Sequence, residues 1–334
     1  MNNPLKGWQV DPAAITTTGV DLRRPECVLA EPSGDLWIAD LRGGVMHIRP
    51  DGTQRLITPK GGGGPFAPEE PNIDGNGGFS MPNGLCFDAV GDIIIANFGT
   101  NLVEKITREG DYQLILSEVD GRAIGKANFP AIDREGRLWF TVTASQEAWR
   151  NRTAAVESDG YIVVLDEKGP RIVAEGFAGT NEFRFDETET WAYVAETGGD
   201  HMTRLKIGPG GTVIGREVYG PARLGGGPDG FAFDSHGNLW TTLIGANRLV
   251  AITPDGELLT VWEDGDPEAK RSFGGTGGSL MISGAGMMAP RMASITFGGP
   301  DLCTVYIGSL MGSTLPTFRA PLPGRALPHW SKMP

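Results

Sequence analysis

Six oxygen-bearing side chains recur along the chain at a nearly constant distance before a Trp, Tyr or Ile. They are Glu26, Asn83, Asn128, Asn181, Asp229 and Ser294. In four cases the large residue follows eleven positions later, as Trp37 follows Glu26, and in the other two it follows twelve positions later. Carboxylate and amide oxygens are the ligands of hard divalent cations, and Ca²⁺ takes roughly six to eight oxygens. If the fold brings these six positions together, they are suited to hold a cation.

The two carboxylates of this set favour a cation over a purely structural role. Buried close together, Glu26 and Asp229 would repel each other and their pKa values would rise, and a metal ion would relieve that cost. Asn, Asp and Ser are also common in turns, so Asn83 and Ser294 could equally cap turns. Glu is a poor turn residue, so Glu26 is hard to explain without a ligand.

Each of these side chains begins a phrase of two short apolar strands joined by a tight turn. Examples are PECVLAEPSGDLWIAD from Pro25 and PDGFAFDSHGNLWTTL from Pro228. A weaker second hairpin often follows, as in NRLVAITPDGELLTVW. Two hairpins make the four strands of one propeller blade, and the six phrases lie 45 to 65 residues apart. The pattern predicts an all-β, six-bladed β-propeller, with a sandwich or barrel of chance similarity as the alternative.

The repeat predicts a single domain over residues 1–334, with blades that begin near 25, 82, 128, 181, 228 and 293. The starts of the inner strands of a propeller converge on its axis, which predicts a central metal-binding channel. Two long loops, 60–81 and 266–292, end just before an axial phrase and are expected to overhang the metal end. The second loop is rich in Met and predicts either a lid over an apolar substrate, or a mobile loop or oligomer contact. Residues 146–157 could hold one short helix.

Composition and charge narrow the class of partner. The 50 glycines and 24 prolines among 334 residues suit many turns between short strands. A net charge of −12 disfavours nucleic-acid and membrane-surface binding, so a small molecule is the expected partner of a monomer or small homo-oligomer. The three cysteines form no disulfide or zinc motif, and neither a leader peptide nor a long apolar run occurs. We therefore expect a cytoplasmic protein.

Over about residues 20–325 the chain is similar to the SMP-30/gluconolactonase/luciferin-regenerating-enzyme family of six-bladed propellers. The resemblance is carried by PECVLAEPSGDLWIAD, NFPAIDREGRLWF, NEFRFD…WAYVAET, GPDGFAFDSHGNLW and SITFGGPDLCTVYIGSL. It implies a hydrolase that opens lactones, mostly sugar-acid lactones, with one divalent cation on the axis. It also implies that Glu26, Asn181 and Asp229 are metal ligands and that Asn128 contacts the metal or the substrate.

The resemblance leads to an expected mechanism. The cation polarises the lactone carbonyl, water attacks, and Asp229 is the candidate base while Glu26 is mainly a ligand. Asn128 and Lys126 would orient the substrate. Lys126 stands where the family often has Arg, and Glu182 follows Asn181 where Gly is usual. Ca²⁺ is the first choice of metal, and an oxygen-rich set could also take Zn²⁺, Mn²⁺, Mg²⁺ or Fe²⁺.

Two other functions stay open at this point. One is a related esterase or phosphotriesterase that uses the same metal. The other is a non-catalytic propeller that binds calcium or another protein. A serine-hydrolase site is disfavoured because no GxSxG motif occurs. Of the four histidines, His201 could reach the channel mouth, although an ordinary loop histidine is the simpler interpretation.

Overall fold

The fold is an all-β, six-bladed propeller, as the sequence repeat predicted. The computed structural model describes residues 3–60, 79–151, 158–265 and 287–331. Within these residues, six four-stranded antiparallel sheets follow one another along the chain. The first strand of each sheet contacts the first strand of the next, and the last contacts the first, so the inner strands close a ring.

The strands are numbered in chain order and occupy four positions from the axis outward. The inner strands are β2 (Val28–Ala30), β6 (Pro82–Phe87), β12 (Ala127–Ile132), β16 (Thr180–Phe185), β20 (Pro228–Phe233) and β24 (Met292–Gly298). The second strands are β3 (Leu36–Asp40), β7 (Ile93–Asn97), β13 (Leu138–Val142), β17 (Trp191–Glu196), β21 (Leu239–Leu243) and β25 (Thr304–Ser309).

The two remaining positions are further from the axis. The third strands are β4 (Gly44–Ile48), β8 (Leu102–Ile106), β14 (Gly160–Asp166), β18 (His201–Gly208), β22 (Arg248–Ile252) and β26 (Leu315–Arg319). The outer strands are β5 (Gln54–Ile57), β9 (Tyr112–Leu116), β15 (Gly169–Phe177), β19 (Thr212–Tyr219), β23 (Leu258–Glu263) and, for the sixth blade, β1 (Thr16–Thr18).

Short elements lie between the blades. Helix α1 (Gln146–Arg150) occupies the first part of the predicted helical segment, and residues 152–157 lie outside the described residues. A two-stranded ribbon of β10 (Glu118–Val119) and β11 (Arg122–Ala123) joins the second blade to the third. The described residues also include the short 3₁₀ helices Pro12–Ala14, Pro209–Gly211 and Pro328–Ser331. No helix in the described ranges is long and apolar enough to cross a membrane.

In three of the blades, a Trp on the second strand is hydrogen-bonded to the turn that connects the first two strands. Each indole N–H donates to a carboxylate six residues earlier in the turn: Trp37 to Glu31, Trp139 to Asp133, and Trp240 to Asp234. The three rings are almost fully buried in the cores between neighbouring blades. These Trp residues therefore fix the hairpin that carries each axial side chain.

A β-bulge lies at the start of the inner strand in five of the blades. The pairing of β6 with β7 jumps from Pro82 to Leu85, and one extra residue is accommodated there. The same irregularity occurs in β12, β16, β20 and β24. Bulges bend a strand and re-aim its side chains, so the residues at the strand start turn toward the axis instead of continuing the strand alternation.

Candidate active site on the propeller axis

The structure brings all six predicted axial side chains together. They line one small cavity of about 10 Å³. The lining residues at the strand starts are Glu26, Asn83, Asn128, Asn181, Asp229 and Ser294. The next residues along several strands, among them Cys27, Phe129 and Glu182, complete the wall. The six residues that occupy the repeated sequence position therefore lie together around one cavity.

The inner strands approach each other very closely around this cavity. A Cβ atom on Gly84 would lie 2.6 Å from the Asn128 carbonyl oxygen, and one on Gly230 would lie 2.6 Å from the Ala293 carbonyl oxygen. No side chain fits at such distances, so glycine follows the axial residue in these two blades. The close approach keeps the cavity small.

Two carboxylates of the set are buried, and their like charges repel each other. Glu26 is 6% exposed and Asp229 is 3% exposed. Burial raises the pKa of Glu26, with Arg24 and Asn83 acting in the opposite direction. Burial, and then the charges of Glu26 and Glu182, raise the pKa of Asp229 well above its usual range. These carboxylates lack enough positive charge nearby, which is the condition that a bound cation corrects.

Unpaired oxygens test whether the set fits a metal ion. Within the described part of the chain, Asn128 Oδ1 and Ser294 Oγ are buried without a hydrogen-bond partner, and both residues line the cavity. Buried acceptors are normally satisfied. No three carboxylate, thiol or imidazole side chains among the described residues form a metal cluster by themselves. A cation here would therefore need the mixed carboxylate and amide ligands that the set provides.

Arg24 is a member of the site that the repeat did not reveal. Its guanidinium is buried and forms an ion pair with Glu26 Oε2. Nη2 donates to Asn83 Oδ1 at 2.9 Å and Nη1 donates to the Pro82 carbonyl at 3.3 Å. The only sequence signal was a basic residue two positions before Glu26. Arg24 supplies part of the positive charge that the axial carboxylates require.

Glu182 and Arg184 form a second buried pair in the wall of the cavity. Burial raises the pKa of Glu182 to about 7, although Arg184 acts against this rise. Arg184 Nε donates both to Glu182 and to the Phe231 carbonyl on the next blade. The departure from Gly at position 182 therefore places a third carboxylate next to Glu26 and Asp229.

Lys126 does not line the cavity. Its ammonium donates to the Phe98 carbonyl at 3.2 Å and lies 5.4 Å from the centre of the Phe98 ring. Burial, and then the charge of Arg150, lower the pKa of Lys126 to about 8. Lys126 thus contacts the second blade, whereas Arg24 contacts the axial side chains of Glu26 and Asn83.

The remaining sequence predictions fall partly outside the described residues. Most of the two long loops, residues 61–78 and 266–286, is not described. Of the four Met residues in the second loop, Met292 is buried in β24 and Met288 packs against the same core. His201 bonds to Glu196 and to the Gly199 carbonyl, away from the cavity lining.

Comparison with protein families gives one match that covers more than half of the chain. The model described as "SMP-30/Gluconolactonase/LRE-like region" matches residues 108–286. This range includes the axial positions 128, 181 and 229, and it includes neither Glu26 nor Arg24.

Among the curated proteins that match, two share about a quarter of their residues with this chain over the matched region. A 6-deoxy-6-sulfogluconolactonase from Pseudomonas putida is 25% identical over 198 residues, which are 57% of this chain and 55% of that protein. A diisopropyl-fluorophosphatase from Loligo vulgaris is 26% identical over 196 residues, 56% of this chain and 62% of that protein. The chain therefore matches less than two thirds of the length of either relative.

Solved structures share the architecture over nearly the whole chain. Regucalcin from Agrobacterium tumefaciens, described as a calcium-binding protein, superposes with a TM-score of 0.66 and 16% identity. The superposition covers 93% of this chain and 94% of that one. At this identity the likeness concerns the fold.

Proposed function

Because the chain belongs to the SMP-30/gluconolactonase/LRE-like family, we propose that it is a divalent-metal-dependent hydrolase that opens a sugar-acid lactone. The observation that carries the proposal is the axial cavity, where two buried carboxylates and unpaired amide and hydroxyl oxygens converge. The sugar lactonase among the relatives supports the choice of substrate class.

Glu26, Asn181, Asp229 and Asn128 are the residues that would hold the metal. The set consists of oxygens, which suits Ca²⁺, and the similar calcium-binding propeller supports that choice. Zn²⁺, Mn²⁺, Mg²⁺ and Fe²⁺ are the alternatives to be compared. When bound, the cation would polarise the lactone carbonyl and stabilise negative charge on its oxygen.

The protein's own side chains would accept the proton and help to bind the substrate. Asp229 accepts the proton of the attacking water, and the charges of Glu26 and Glu182 oppose the ionised form that it needs for this task. The base is therefore effective only when those charges are neutralised. Asn128 Oδ1, which is free of other hydrogen bonds among the described residues, can accept from a substrate hydroxyl or bind the metal.

A lactone panel crossed with a metal panel tests the proposal. Purified protein is treated with chelator, each metal is added back, and acid release from aldonolactones is followed. We expect Glu26→Gln and Asp229→Ala to lower kcat/KM by at least about a hundredfold. Glu217→Gln, on the exposed edge of the fourth blade, is the control and should keep full activity. Full activity in both axial variants would show that the axial mechanism is wrong.

The fluorophosphatase relative favours a second candidate, a phosphotriesterase that uses the same cavity. Adding phosphotriesters and simple esters to the panel separates the two activities. If no substrate of the three classes turns over with any of the five metals, a non-catalytic calcium-binding propeller becomes the better interpretation. The oligomeric state, the single domain over residues 1–334 and the cytoplasmic location stay predictions.

A further inference from the structure

Two threonine hydroxyls beside the axis each join two neighbouring blades. Thr143 follows β13 and Thr197 follows β17. The Thr143 hydroxyl lies 3.0 Å from Asn128 Nδ2 and 2.8 Å from the Thr180 carbonyl. The Thr197 hydroxyl lies 3.1 Å from Asn181 Nδ2 and 2.7 Å from the Pro228 carbonyl.

The chemistry of these partners fixes the direction of every hydrogen bond. A backbone carbonyl can only accept, so each hydroxyl must give its one proton to the carbonyl. Only lone pairs of the hydroxyl then face the asparagine, and the amide must present N–H to them. The oxygen end of the amide consequently points away from the threonine. For Asn128 this oxygen is the buried atom that has no partner among the described residues.

The carbonyls in question precede the next axial residues in the chain. Thr180 comes directly before Asn181, and Pro228 comes directly before Asp229. Thr143 therefore links Asn128 to the position of Asn181, and Thr197 links Asn181 to the position of Asp229. The two hydroxyls connect three of the four proposed metal-binding residues.

We propose that Thr143 and Thr197 are positioning residues that fix which end of the Asn128 and Asn181 amides faces the axis. A flipped amide would present N–H groups, and these repel a cation where an oxygen would bind it. The link to a cation rests on the proposed function, but the amide orientation is a property of the chain without metal. The two parts can therefore be tested separately.

The variants are Thr143→Val and Thr197→Val, which keep the shape and remove the hydroxyl, and the corresponding Ser variants, which keep it. Thr242→Val is the matched control. The Thr242 hydroxyl also joins two blades, since it accepts from the Gly230 N–H at 3.1 Å and donates to the Ala293 carbonyl at 2.8 Å. It contacts no axial amide in the described structure.

The first measurement is the affinity of chelator-treated protein for Ca²⁺, by titration calorimetry. Removal of groups that orient metal ligands typically weakens binding about 10- to 100-fold, so we expect at least about a tenfold loss in each Val variant. The Ser variants should recover binding to within about threefold. Thr242→Val should lose stability but keep its calcium affinity. An equal loss of affinity in all three Val variants would overturn the proposal, because it would indicate general loosening of the axis.

The second measurement needs no metal. In protein labelled with ¹⁵N-asparagine, the side-chain amide signals are assigned from Asn128→Ala and Asn181→Ala, and their hydrogen exchange is followed. Loss of one hydrogen bond should speed exchange about fivefold to tenfold at Asn128 in Thr143→Val and at Asn181 in Thr197→Val. Unchanged exchange would show that the hydroxyls do not hold the amides. If exchange responds but the protein binds no metal, the positioning role stands and the proposed metal dependence fails.

Discussion

At the scale of single residues, the negative charges of the axial carboxylates are only partly balanced by nearby cations. Glu26, Asp229 and Glu182 are buried within one cavity wall, and Arg24 and Arg184 are the cations paired with them. The raised pKa of Asp229 shows that this compensation is incomplete. Removing one partner of a buried ion pair costs about 3–5 kcal/mol, because the remaining charge is left unpaired. Arg24 and a bound cation would thus have overlapping roles, since both would neutralise the charge of Glu26.

Arg24→Gln tests this overlap. We expect the variant to lose about 3 kcal/mol of unfolding free energy in chelator and clearly less in saturating Ca²⁺, because a bound cation would also neutralise Glu26. Denaturant unfolding under the two conditions measures the difference. Arg23→Gln, at an exposed neighbouring position, is the control and should change stability by less than about 0.5 kcal/mol. Equal losses with and without Ca²⁺ would contradict the overlap.

The sequence predicted the repeated members of the site and missed those outside the repeat. Glu26 and Asp229 occupy the same position in their blades, so comparing blades found both. Arg24 precedes the strand and has a left-handed backbone, with φ of 52°, and periodicity cannot predict where such a residue points. Lys126, which the family resemblance suggested as a substrate-orienting residue, donates to the Phe98 carbonyl of the second blade, and that role stays a prediction.

At the scale of elements, the bulges of the inner strands and the hydrogen bonds between the outer strands have different roles. The bulges turn the axial side chains inward, and the sequence could not reveal them, because the five blades that have a bulge all carry the extra residue near the start of the inner strand. Further out, Glu196 on β17 accepts hydrogen bonds from His201 on β18, Arg216 on β19 and the Ala178 N–H. This carboxylate ties three strands of the fourth blade together.

The stability of the fourth blade should therefore depend on pH. Burial alone would raise the pKa of Glu196, but hydrogen bonds from His201, Thr203 and Ala178 outweigh it and lower the pKa to about 2. A lowered carboxylate pKa gives stability that is present above its ordinary value of 4.5 and is lost as the pH falls toward about 2. After allowance for solvent screening, we expect Glu196→Gln to cost about 2 kcal/mol at pH 7.

Unfolding measured from pH 7 down to pH 2 checks this expectation. The difference between wild type and Glu196→Gln should shrink below pH 4.5 and vanish near pH 2. Glu217→Gln, in the same blade but half exposed, should follow the wild-type curve throughout. A difference that stays constant over the whole range would mean that Glu196 contributes packing and not charge.

At the scale of the whole molecule, both ends of the described chain help to close the ring. Strand β1 pairs with β26, so a segment that precedes the first blade completes the sixth. Near the other end, the Arg325 N–H donates to the Phe233 carbonyl and His329 bonds to the Ala30 carbonyl. The six inner strands were predictable from their phrases. The closure was not, because three largely exposed threonines carry no alternation of apolar and polar residues.

Thr16→Pro tests how far the axial site depends on this closure. Thr17 lies opposite Pro316, which has no N–H, so the hydrogen-bonded pairs of β1 and β26 are those of Thr16 and Thr18. Proline at position 16 removes an N–H that pairs with β26, so it should detach β1 and leave an unpaired edge on the last blade. Gln113→Pro, in the outer strand β9 of the second blade, breaks a comparable exposed strand that plays no part in closure. Thr16→Pro should lower Tm by several degrees more than the control. It should also weaken Ca²⁺ binding, since the sixth blade carries Ser294 next to the Glu26 strand. Equal effects of the two prolines on Tm and on calcium affinity would show that closure does not support the axis.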